Sequence, residues 1–397
     1  MYDMEKYLKN FSHISFRKSW EIPGNVQYVL GACEATVNAL RYLPLSPKTR
    51  EKMLEVSLIK GAMATTAIEG NTLTEEEVRA IHEGRLALPQ SRKYLEQEVK
   101  NVLEALNKIY DEVVKNHRIS PVTTDLIRSF NQSIGKDLGD AFESVPGEFR
   151  PCEVVVGSYR APDHRAVSWL MDRMCDWLHR EFGYSRETRS SFAEGVVEAI
   201  VAHVYLVWIH PFCDGNGRTA RLLEFYLLLR CGLPDICAHI LSNHYNETRS
   251  EYYRRLSAAG KSGDLTEFIA YAAQGLLDGL AEVLMVAQRH QIESCWRNYV
   301  YDKLDEQGFS RNVRKRYAKL LTEIDVFNTY ARDELSRVTT DIAAVYARVA
   351  PGTILRDVRA LVALGLLRVD GDGRYSAETR PIIEQLPRSR TFVGEPT

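Results

Sequence analysis

Apolar residues recur at helical spacing along most of the chain. Between Arg92 and Val114 they lie three or four residues apart, and from Ser191 to Ile209 they return every four residues. A second strongly apolar run follows a short polar loop and ends at Gly232 and Pro234, residue types that typically end a helix. The pattern predicts a buried helix on each side of that loop.

Proline and glycine divide the remaining helical pattern into shorter pieces. In the first part of the chain these breaks are Pro44, Pro47, Gly61, Gly70 and Pro89, which predict several short helices. Another helix is predicted to begin after Ser120. Two more are predicted over Ser250–Ala259, ending at Gly260, and over Leu265–Arg289.

Two segments depart from the helical pattern. Gly147–Pro162 (GEFRPCEVVVGSYRAP) is rich in β-branched residues between turn formers and predicts a short hairpin. Pro351–Ser376 has the pattern of a helix, a strand, a Gly-Asp-Gly turn and a strand. This order is typical of a winged helix-turn-helix, with Thr353–Leu364 in the position of the recognition helix.

We therefore predict a mainly α fold with several units, since 397 residues exceed the length of a typical single domain. The predicted divisions are a helical region over 1–115, a central helical domain over 116–263, connecting helices over 264–308, a winged helix-turn-helix over 309–381 and a tail over 382–397.

Composition narrows the classes of function. The formal net charge is −2, which gives no general attraction to nucleic acid or membrane surfaces. The seven cysteines form no CxxC and no zinc-type spacing, a pattern that favours reduced thiols in a cytoplasmic protein. The N-terminus has no apolar signal-peptide core, and Val196–Ile209 is expected to be too short to span a bilayer. No membrane partner is therefore predicted.

The loop between the two apolar runs, His210–Arg221, reads HPFCDGNGRTAR and concentrates chemically active residues. Asp-Gly and Asn-Gly are common in hairpin turns, but the flanking periods are helical. Gly215 and Gly217 allow backbone amides to approach a ligand, and the N-terminus of the next helix attracts anions. Arg218 and Arg221, three residues apart, can reach the same polyanion. These features predict a phosphate site.

Two further residues of the loop suggest chemistry on the bound phosphate. Asp214 would repel phosphate directly, so it is better suited to hold Mg²⁺ between phosphates. His210 precedes the proline at the rim, where a neutral imidazole could deprotonate an incoming hydroxyl. The plain alternative for His210 is a histidine at a helix end.

The loop resembles the signature of Fic-domain proteins, HPFx[DE]GNGRxxR, and matches it at every fixed position. The resemblance implies transfer of AMP from ATP to a Ser, Thr or Tyr hydroxyl of a target protein, and to the enzyme itself. It implies that His210 is the base and that Asp214 holds Mg²⁺ on the α- and β-phosphates. Asn216 would fix the α-phosphate, and Arg218 and Arg221 the outer phosphates. The implied nucleotide-binding set also contains Phe212, Gly215 and Gly217.

Two other segments are similar to parts of that family. Gly147–Gly157 (GEFRPCEVVVG) resembles the family's flap, a hairpin that pairs with the target backbone. Its docking residues would be Val154, Val155, Val156 and Gly157, although a structural hairpin would look the same. Leu241–Leu256 resembles the segment beside the nucleoside. Tyr252 and Tyr253 are its expected aromatic contacts, and a core role for one of them is equally open.

A second motif, TTAIEGN from Thr65 to Asn71, resembles the family's inhibitory motif, [ST]xxxE[GN]. Thr65 and Glu69 are four apart and would share a helical face, and Gly70 suits the position just past a helix end. The resemblance implies that Glu69 pairs with Arg221 and displaces the γ-phosphate. An ordinary helix end would also explain Glu-Gly-Asn.

Alternatives of other kinds remain open from the sequence. The same site could remove AMP, with Glu69 positioning a water molecule. The chain could also be a nucleotide-sensing DNA-binding regulator, because residues 311–380 carry 13 basic and 9 acidic side chains. A homodimer is a further expectation from the family, and the target protein cannot be read from the sequence.

Overall fold

The computed structural model describes residues 9–157, 159–183 and 191–384. It divides into two compact units, Met1–Met285 and Val286–Thr397, each treated by itself below. Most of the predicted tail over 382–397 lies outside the described residues, as does residue 158 of the predicted hairpin. The chain is mainly α-helical, as the periodicity predicts.

The first unit contains helices and one short hairpin. Its helices are α1 (Gly24–Arg41), α2 (Pro47–Ala67), α3 (Glu75–His82), α4 (Lys93–Tyr110), α5 (Thr124–Gly135), α6 (Val167–Phe182), α7 (Phe192–Ile209), α8 (Asn216–Cys231), α9 (Ile240–Glu247), α10 (Arg249–Ser262) and α11 (Thr266–Asp305), the last of which continues beyond the unit boundary. Its strands are β1 (Val155–Val156) and β2 (Tyr159–Arg160), which pair antiparallel.

Helices α7 and α8 form the centre of this unit and are packed closely against each other. Ser191 and Glu194 form a capping box that starts α7. Gly195 allows the close approach, because a Cβ there would lie 2.2 Å from Cys231 Cβ. A buried ion pair between Glu198 and Arg230 joins the two helices. The polar loop between them is therefore held at both ends by the core.

Helix α2 carries the second motif towards this centre. Ser46 caps its N-terminus, with Pro47 at the first helical position. The prediction that Gly61 breaks this region was wrong, because Gly61 lies inside α2. A Cβ at Gly61 would meet His239 and Leu106 at 3.5 Å, so the glycine provides close packing rather than a turn.

Three predicted boundaries differ from the structure. Helix α10 does not stop at Gly260; it runs to Ser262, and the chain turns at Gly263, whose φ is 73°. Helix α11 continues to Asp305 instead of stopping near Arg289. The hairpin is limited to two-residue strands, and much of the segment predicted to form it has no regular secondary structure.

The second unit has its own core around Trp296, whose indole N–H donates to Leu321 O at 2.8 Å. Besides the end of α11 its elements are α12 (Arg311–Glu323), α13 (Arg332–Leu335), α14 (Thr340–Tyr346), α15 (Thr353–Ala363), β3 (Leu367–Val369), β4 (Tyr375–Ala377) and α16 (Arg380–Ile383). Strands β3 and β4 pair antiparallel. Helix, strand, turn and strand follow in the predicted order, and the identification as a winged helix-turn-helix stays a prediction.

Among the described residues, two helices are long and apolar enough to cross a membrane by length and composition alone, Phe192–Ile209 and Thr266–Asp305. The expectation that the first apolar run is too short was wrong, since the helix reaches 18 residues. Its most apolar window is 83% buried within the fold, and a buried core helix passes the same test. These two helices are only weak evidence for a role in a membrane. That the protein has no membrane partner stays a prediction.

Candidate active site

Helix α7 ends where it meets the polar loop, at a residue with unusual backbone angles. His210 adopts left-handed backbone angles, φ 52° and ψ 60°, while its amide N still donates to Leu206 O at 2.9 Å. A non-glycine residue in this region is uncommon and often lies at a functional site. Pro211 follows and cannot continue the helical hydrogen bonds. The imidazole is thereby set at the edge of the loop.

The loop is closed by its own side chains. Asn216 accepts a hydrogen bond from Phe212 N at 2.9 Å and donates to Phe212 O at 2.8 Å. Gly215 has a φ of 77°, and a Cβ there would lie 2.8 Å from Ile134 Cδ1. Asn131 donates to Asp214 O at 3.1 Å. The loop is thus fixed by buried partners before any ligand binds.

The protonation state of His210 follows from its surroundings. Nδ1 lies 3.2 Å from Val207 O, and because a carbonyl can only accept, Nδ1 carries the proton and Nε2 the lone pair. Burial lowers the pKa of His210 to about 4, with Arg150 contributing in the same direction. The ring is therefore neutral near pH 7, and Nε2 can accept a proton.

Arg221 lies fully inside the site and pairs with the second motif. Its Nη2 donates to Glu69 Oε1 at 2.5 Å and to Thr65 O at 2.9 Å. Burial raises the pKa of Glu69, but the attraction of Arg221 outweighs it, so the net pKa lies below its usual value. Glu69 is therefore a carboxylate held against a buried guanidinium.

The local geometry of the second motif differs in one respect from the sequence-based expectation. Helix α2 ends at Ala67, so Glu69 lies in the turn that follows it rather than on the same helical face as Thr65. Gly70 has a φ of 100° and allows that turn. Thr65 is buried, and its hydroxyl donates to Ser242 Oγ at 3.3 Å.

Arg218 has different partners from Arg221. Its Nη1 contacts Glu98 Oε1 at 2.5 Å, and its Nη2 contacts Asp214 Oδ1 at 2.8 Å. Glu98 lies on α4, and sequence reasoning missed it because nothing in the local pattern links it to the loop. The two arginines are three residues apart on α8, yet each faces its own carboxylate.

A cavity of about 730 Å³ opens beside these groups. Its walls contain Glu69, His210, Gly217, Arg221, Tyr252 and Tyr253, together with Val156 of β1 and the N-terminal residues from Asn10 to His13. The N-terminal contribution was not predicted. This volume lies within the usual range for small-molecule sites.

The two tyrosines occupy different environments. Tyr252 is buried, and its hydroxyl lies 3.0 Å from His203 Nε2 deep in the core. Tyr253 is half exposed and donates to Ile68 O at 3.4 Å. Tyr252 therefore has a clear packing role, and Tyr253 offers the more accessible ring.

The flap residues lie at the open side. Val155 and Val156 are exposed, and Ala161 N donates to Val154 O at 3.1 Å beside the paired strands. Gly157 follows β1 with a φ of 57°. Arg150, which is buried, donates to His210 O at 2.8 Å and so anchors the start of this segment to the loop. Arg150 was not predicted to have this role.

The groups present fit a magnesium-bound nucleotide. The Nε atoms of Arg218 and Arg221 are buried without a hydrogen-bond partner among the described residues, as expected of guanidinium groups shaped for another anion. Gly217 leaves room for the Glu69 carboxylate at the start of α8, because a Cβ there would lie 2.2 Å from Glu69 Oε1. In the described ranges no group of three or more His, Cys, Asp or Glu side chains could hold a metal ion.

Comparisons with known proteins identify a family that part of this chain resembles. Residues 121–228 match the profile described as the Fic/DOC family. Protein adenylyltransferase fic-1 of Caenorhabditis briggsae is 34% identical over 242 residues, which are 60% of this chain and 43% of the relative. Protein adenylyltransferase Fic of Drosophila willistoni is 34% identical over 209 residues, 53% of this chain and 38% of the relative. The chain thus spans less than half the length of these curated relatives.

Solved structures show the same fold. A Fic family protein from Desulfovibrio desulfuricans G20 superposes with a TM-score of 0.56 over 91% of this chain and 98% of its own, at 20% identity. A fragment of Fic-1 from C. elegans gives a TM-score of 0.54 at 26% identity, covering 66% of this chain and 72% of the fragment. Residues 121–228 therefore resemble the Fic/DOC family in sequence, and the fold around them is that of a solved Fic family protein.

Proposed function

We propose that this protein transfers AMP from ATP to a Ser, Thr or Tyr hydroxyl of a target protein and of itself, and that Glu69 restrains the transfer. The observation that carries the proposal is the contact between buried Arg221 and Glu69 in the cavity that also contains His210. The relatives named protein adenylyltransferase support the reaction class.

The residues of the loop suit the steps of this reaction. Neutral His210 Nε2 accepts the proton of the target hydroxyl, whose oxygen forms a bond to the α-phosphorus while the bond to pyrophosphate breaks. Asn216 keeps the loop closed, so that the amides at the start of α8 face the phosphates. Arg218 and Arg221 supply positive charge for the outer phosphates.

Magnesium would be held by Asp214, whose Oδ1 already accepts from Arg218. The bound ion would neutralise phosphate charge and favour departure of pyrophosphate. The chain's own contribution is a carboxylate of fixed orientation, because Gly215 N also donates to Asp214 Oδ1 at 2.5 Å.

In this proposal Glu69 restrains the transfer because its carboxylate and the γ-phosphate of ATP compete for the guanidinium of Arg221. A charge-assisted pair with a guanidinium contributes about 1.5–3 kcal/mol, which corresponds to roughly a 10- to 150-fold preference for the paired state. The γ-phosphate of ATP requires the same guanidinium. Removing the carboxylate should therefore raise the rate of transfer.

The test compares the natural chain with Glu69→Gly, Glu69→Gln and His210→Ala in Mg²⁺ and ATP, followed by intact mass measurement. We expect a gain of one AMP in Glu69→Gly, a smaller gain in Glu69→Gln, and none when His210→Ala is added to Glu69→Gly. His82→Ala, which changes an exposed histidine, is the matched control for His210→Ala. Added to Glu69→Gly, it should leave the mass gain of one AMP unchanged.

Absence of any gain in Glu69→Gly, with folding verified, would reject the transferase. Equal gains in the natural chain and Glu69→Gly would reject the restraint alone. A gain that survives His210→Ala would reject His210 as the base.

Removal of AMP by the same site is the second candidate. Glu69 and His210 line one cavity, and although burial lowers the pKa of His210, the charge of Glu69 acts in the opposite direction. A carboxylate in that position can orient a water molecule. If removal is the activity, a target already carrying AMP should lose it with the natural chain and keep it with Glu69→Gly.

Three further proposals accompany this function. We propose that the protein acts in the cytoplasm, that it forms a homodimer, and that any DNA binding resides in residues 309–381. Measuring the binding of duplex DNA by the full chain over a range of salt concentrations tests the last of these, since phosphate contacts weaken steeply with salt.

A further inference from the structure

Two cysteine side chains face each other at the edge of the site. Cys213 lies in the loop between Phe212 and Asp214, and Cys152 lies within the flap segment, three residues before β1. Their Sγ atoms are 3.8 Å apart although 61 positions separate them in the sequence. Cys152 is exposed and Cys213 is partly exposed, whereas Cys33, Cys175 and Cys237 are buried.

Arg150 holds the two cysteines opposite each other. Its backbone N donates to Pro211 O at 2.9 Å, its Nε donates to His210 O at 2.8 Å, and its Nη1 donates to Cys152 O at 2.8 Å. Each cysteine lies two residues beyond the backbone pair formed by Arg150 and Pro211. Their proximity therefore follows from buried anchoring and not from two free side chains that meet by chance.

The separation suits a pair of reduced thiols that can be joined. A disulfide has an S–S length of about 2.05 Å, so the two Sγ atoms must approach by roughly 1.8 Å. Rotation about the Cα–Cβ bonds moves a sulfur over such distances between staggered positions. Exposure of Cys152 gives a soluble oxidant direct access to one partner.

We propose that Cys152 and Cys213 form a reversible disulfide when a peroxide is present, and that this bond links the flap to the active-site loop. The sulfur of Cys152 attacks the peroxide, the O–O bond breaks, and a sulfenic acid and water are formed. The sulfur of Cys213 then attacks the sulfenic sulfur, forming the S–S bond and releasing a second water. Two thiols are oxidised and one peroxide is reduced to two waters, and a soluble thiol reverses the reaction.

The disulfide would connect the active-site loop to the flap, two parts of the site that the proposed reaction needs in a fixed relative position. Cys213 precedes Asp214, whose Oδ1 accepts from Gly215 N and Arg218, and Cys152 precedes the hairpin that carries Val155. Drawing the sulfurs together shifts the loop relative to its fixed partners. A misplacement of about 1 Å can lower the rate by about a hundredfold. This consequence rests on the proposed function, whereas formation of the bond does not.

The test oxidises the full chain with hydrogen peroxide, alkylates the remaining thiols after denaturation, and maps peptides by mass spectrometry. We expect a linked peptide joining Cys152 to Cys213 and two fewer alkylated cysteines than the seven in the chain. Cys295→Ser is the matched control, since Cys295 is partly exposed and distant in sequence, and it should retain the linked peptide. Cys152→Ser and Cys213→Ser should each abolish it.

Absence of that peptide at peroxide doses that oxidise other thiols would overturn the proposal, as would a linkage of Cys152 to a different cysteine. The activity arm uses the Glu69→Gly background and compares each oxidised protein with its own form reduced again by dithiothreitol. Restoration of AMP transfer on reduction, seen only when both cysteines are present, supports the switch. Equal transfer before and after reduction of a proven disulfide rejects it. If Glu69→Gly transfers no AMP at all, the proposed function fails while the peptide map still decides the disulfide.

Discussion

The active-site loop and the flap are neighbours that differ in how firmly the fold holds them. The loop between α7 and α8 is fixed by buried Asn216, by the ion pairs of Arg218 and by two packed helices. The flap consists of two-residue strands whose valines are exposed. Groups with many buried contacts open only at high free-energy cost, whereas exposed hairpins open cheaply. The phosphate chemistry is thus organised before binding, and the docking of a target is not.

The largest effect should come from breaking the support beneath the loop. Replacing Glu198 by Ala breaks the buried ion pair with Arg230 between α7 and α8, which should cost about 3–5 kcal/mol in the free energy of unfolding. Urea unfolding at pH 7.5 measures it. Glu181→Ala, on the exposed surface of α6, is the control and should change it by less than about 0.5 kcal/mol. A loss below about 1 kcal/mol on Glu198→Ala would mean that this ion pair contributes little to holding α7 and α8 together.

An effect of intermediate size is expected in the pH dependence of the free energy of unfolding. Burial raises the pKa of Glu224 to about 8, although Tyr245 donates to it at 2.9 Å, and burial lowers the pKa of His203 to about 3. Both groups are then neutral near pH 7, so their separation of 3.6 Å is not an ion pair despite the short distance. The folded chain keeps the Glu224 proton that the unfolded chain loses above its ordinary pKa. Stability from this group is therefore present at low pH and is lost as pH rises to about 8.

The pH prediction can be checked with Glu224→Gln, which keeps the shape and removes the titration. Between pH 5 and pH 8 the natural chain should lose up to about 1.4 kcal/mol per pH unit relative to this variant. Chemical unfolding at several pH values measures both slopes. Parallel slopes would show that Glu224 is ionised in the folded protein.

The smallest effect on stability should come from the flap. Changing both Val155 and Val156 to Ala should alter the free energy of unfolding by less than about 0.5 kcal/mol, because both side chains are exposed. Binding of ATP should be unchanged, while transfer to a target protein should fall several-fold in the Glu69→Gly background. Val145→Ala is the control, since Val145 is as exposed as Val155 and lies outside the flap. A fall in ATP affinity would show that the flap belongs to the nucleotide site.

Sequence reasoning predicted the parts of the fold that depend on local pattern. The apolar runs gave α7 and α8 their correct places. Of the loop residues that the sequence singled out, His210, Gly217 and Arg221 line the cavity, whereas Gly215 and Arg218 are not part of its wall. The same reasoning failed at Gly61 and Gly260, because a glycine signals either a turn or a close contact. Only the packing of His239 against Gly61 decides between them.

Residues that act across long sequence separations could not be predicted. Glu98 reaches Arg218 over 120 positions, and Arg150 reaches His210 over 60. Neither lies in a recognisable local motif for its contact, since a glutamate on a helix and an arginine in a loop are common everywhere. Their roles follow from how α4 and the flap segment pack against the loop, which periodicity does not specify.

The contact between Glu69 and Arg221 determines which concentration, that of the protein or that of the nucleotide, controls the activity. Both groups belong to one chain, so dilution of the protein leaves their pairing unchanged, and the carboxylate competes at an effective concentration set by its attachment. Glu69 therefore competes with a nucleotide phosphate for Arg221 equally at every protein concentration. The level of the free nucleotide, rather than the amount of enzyme, then determines how often the guanidinium changes partners.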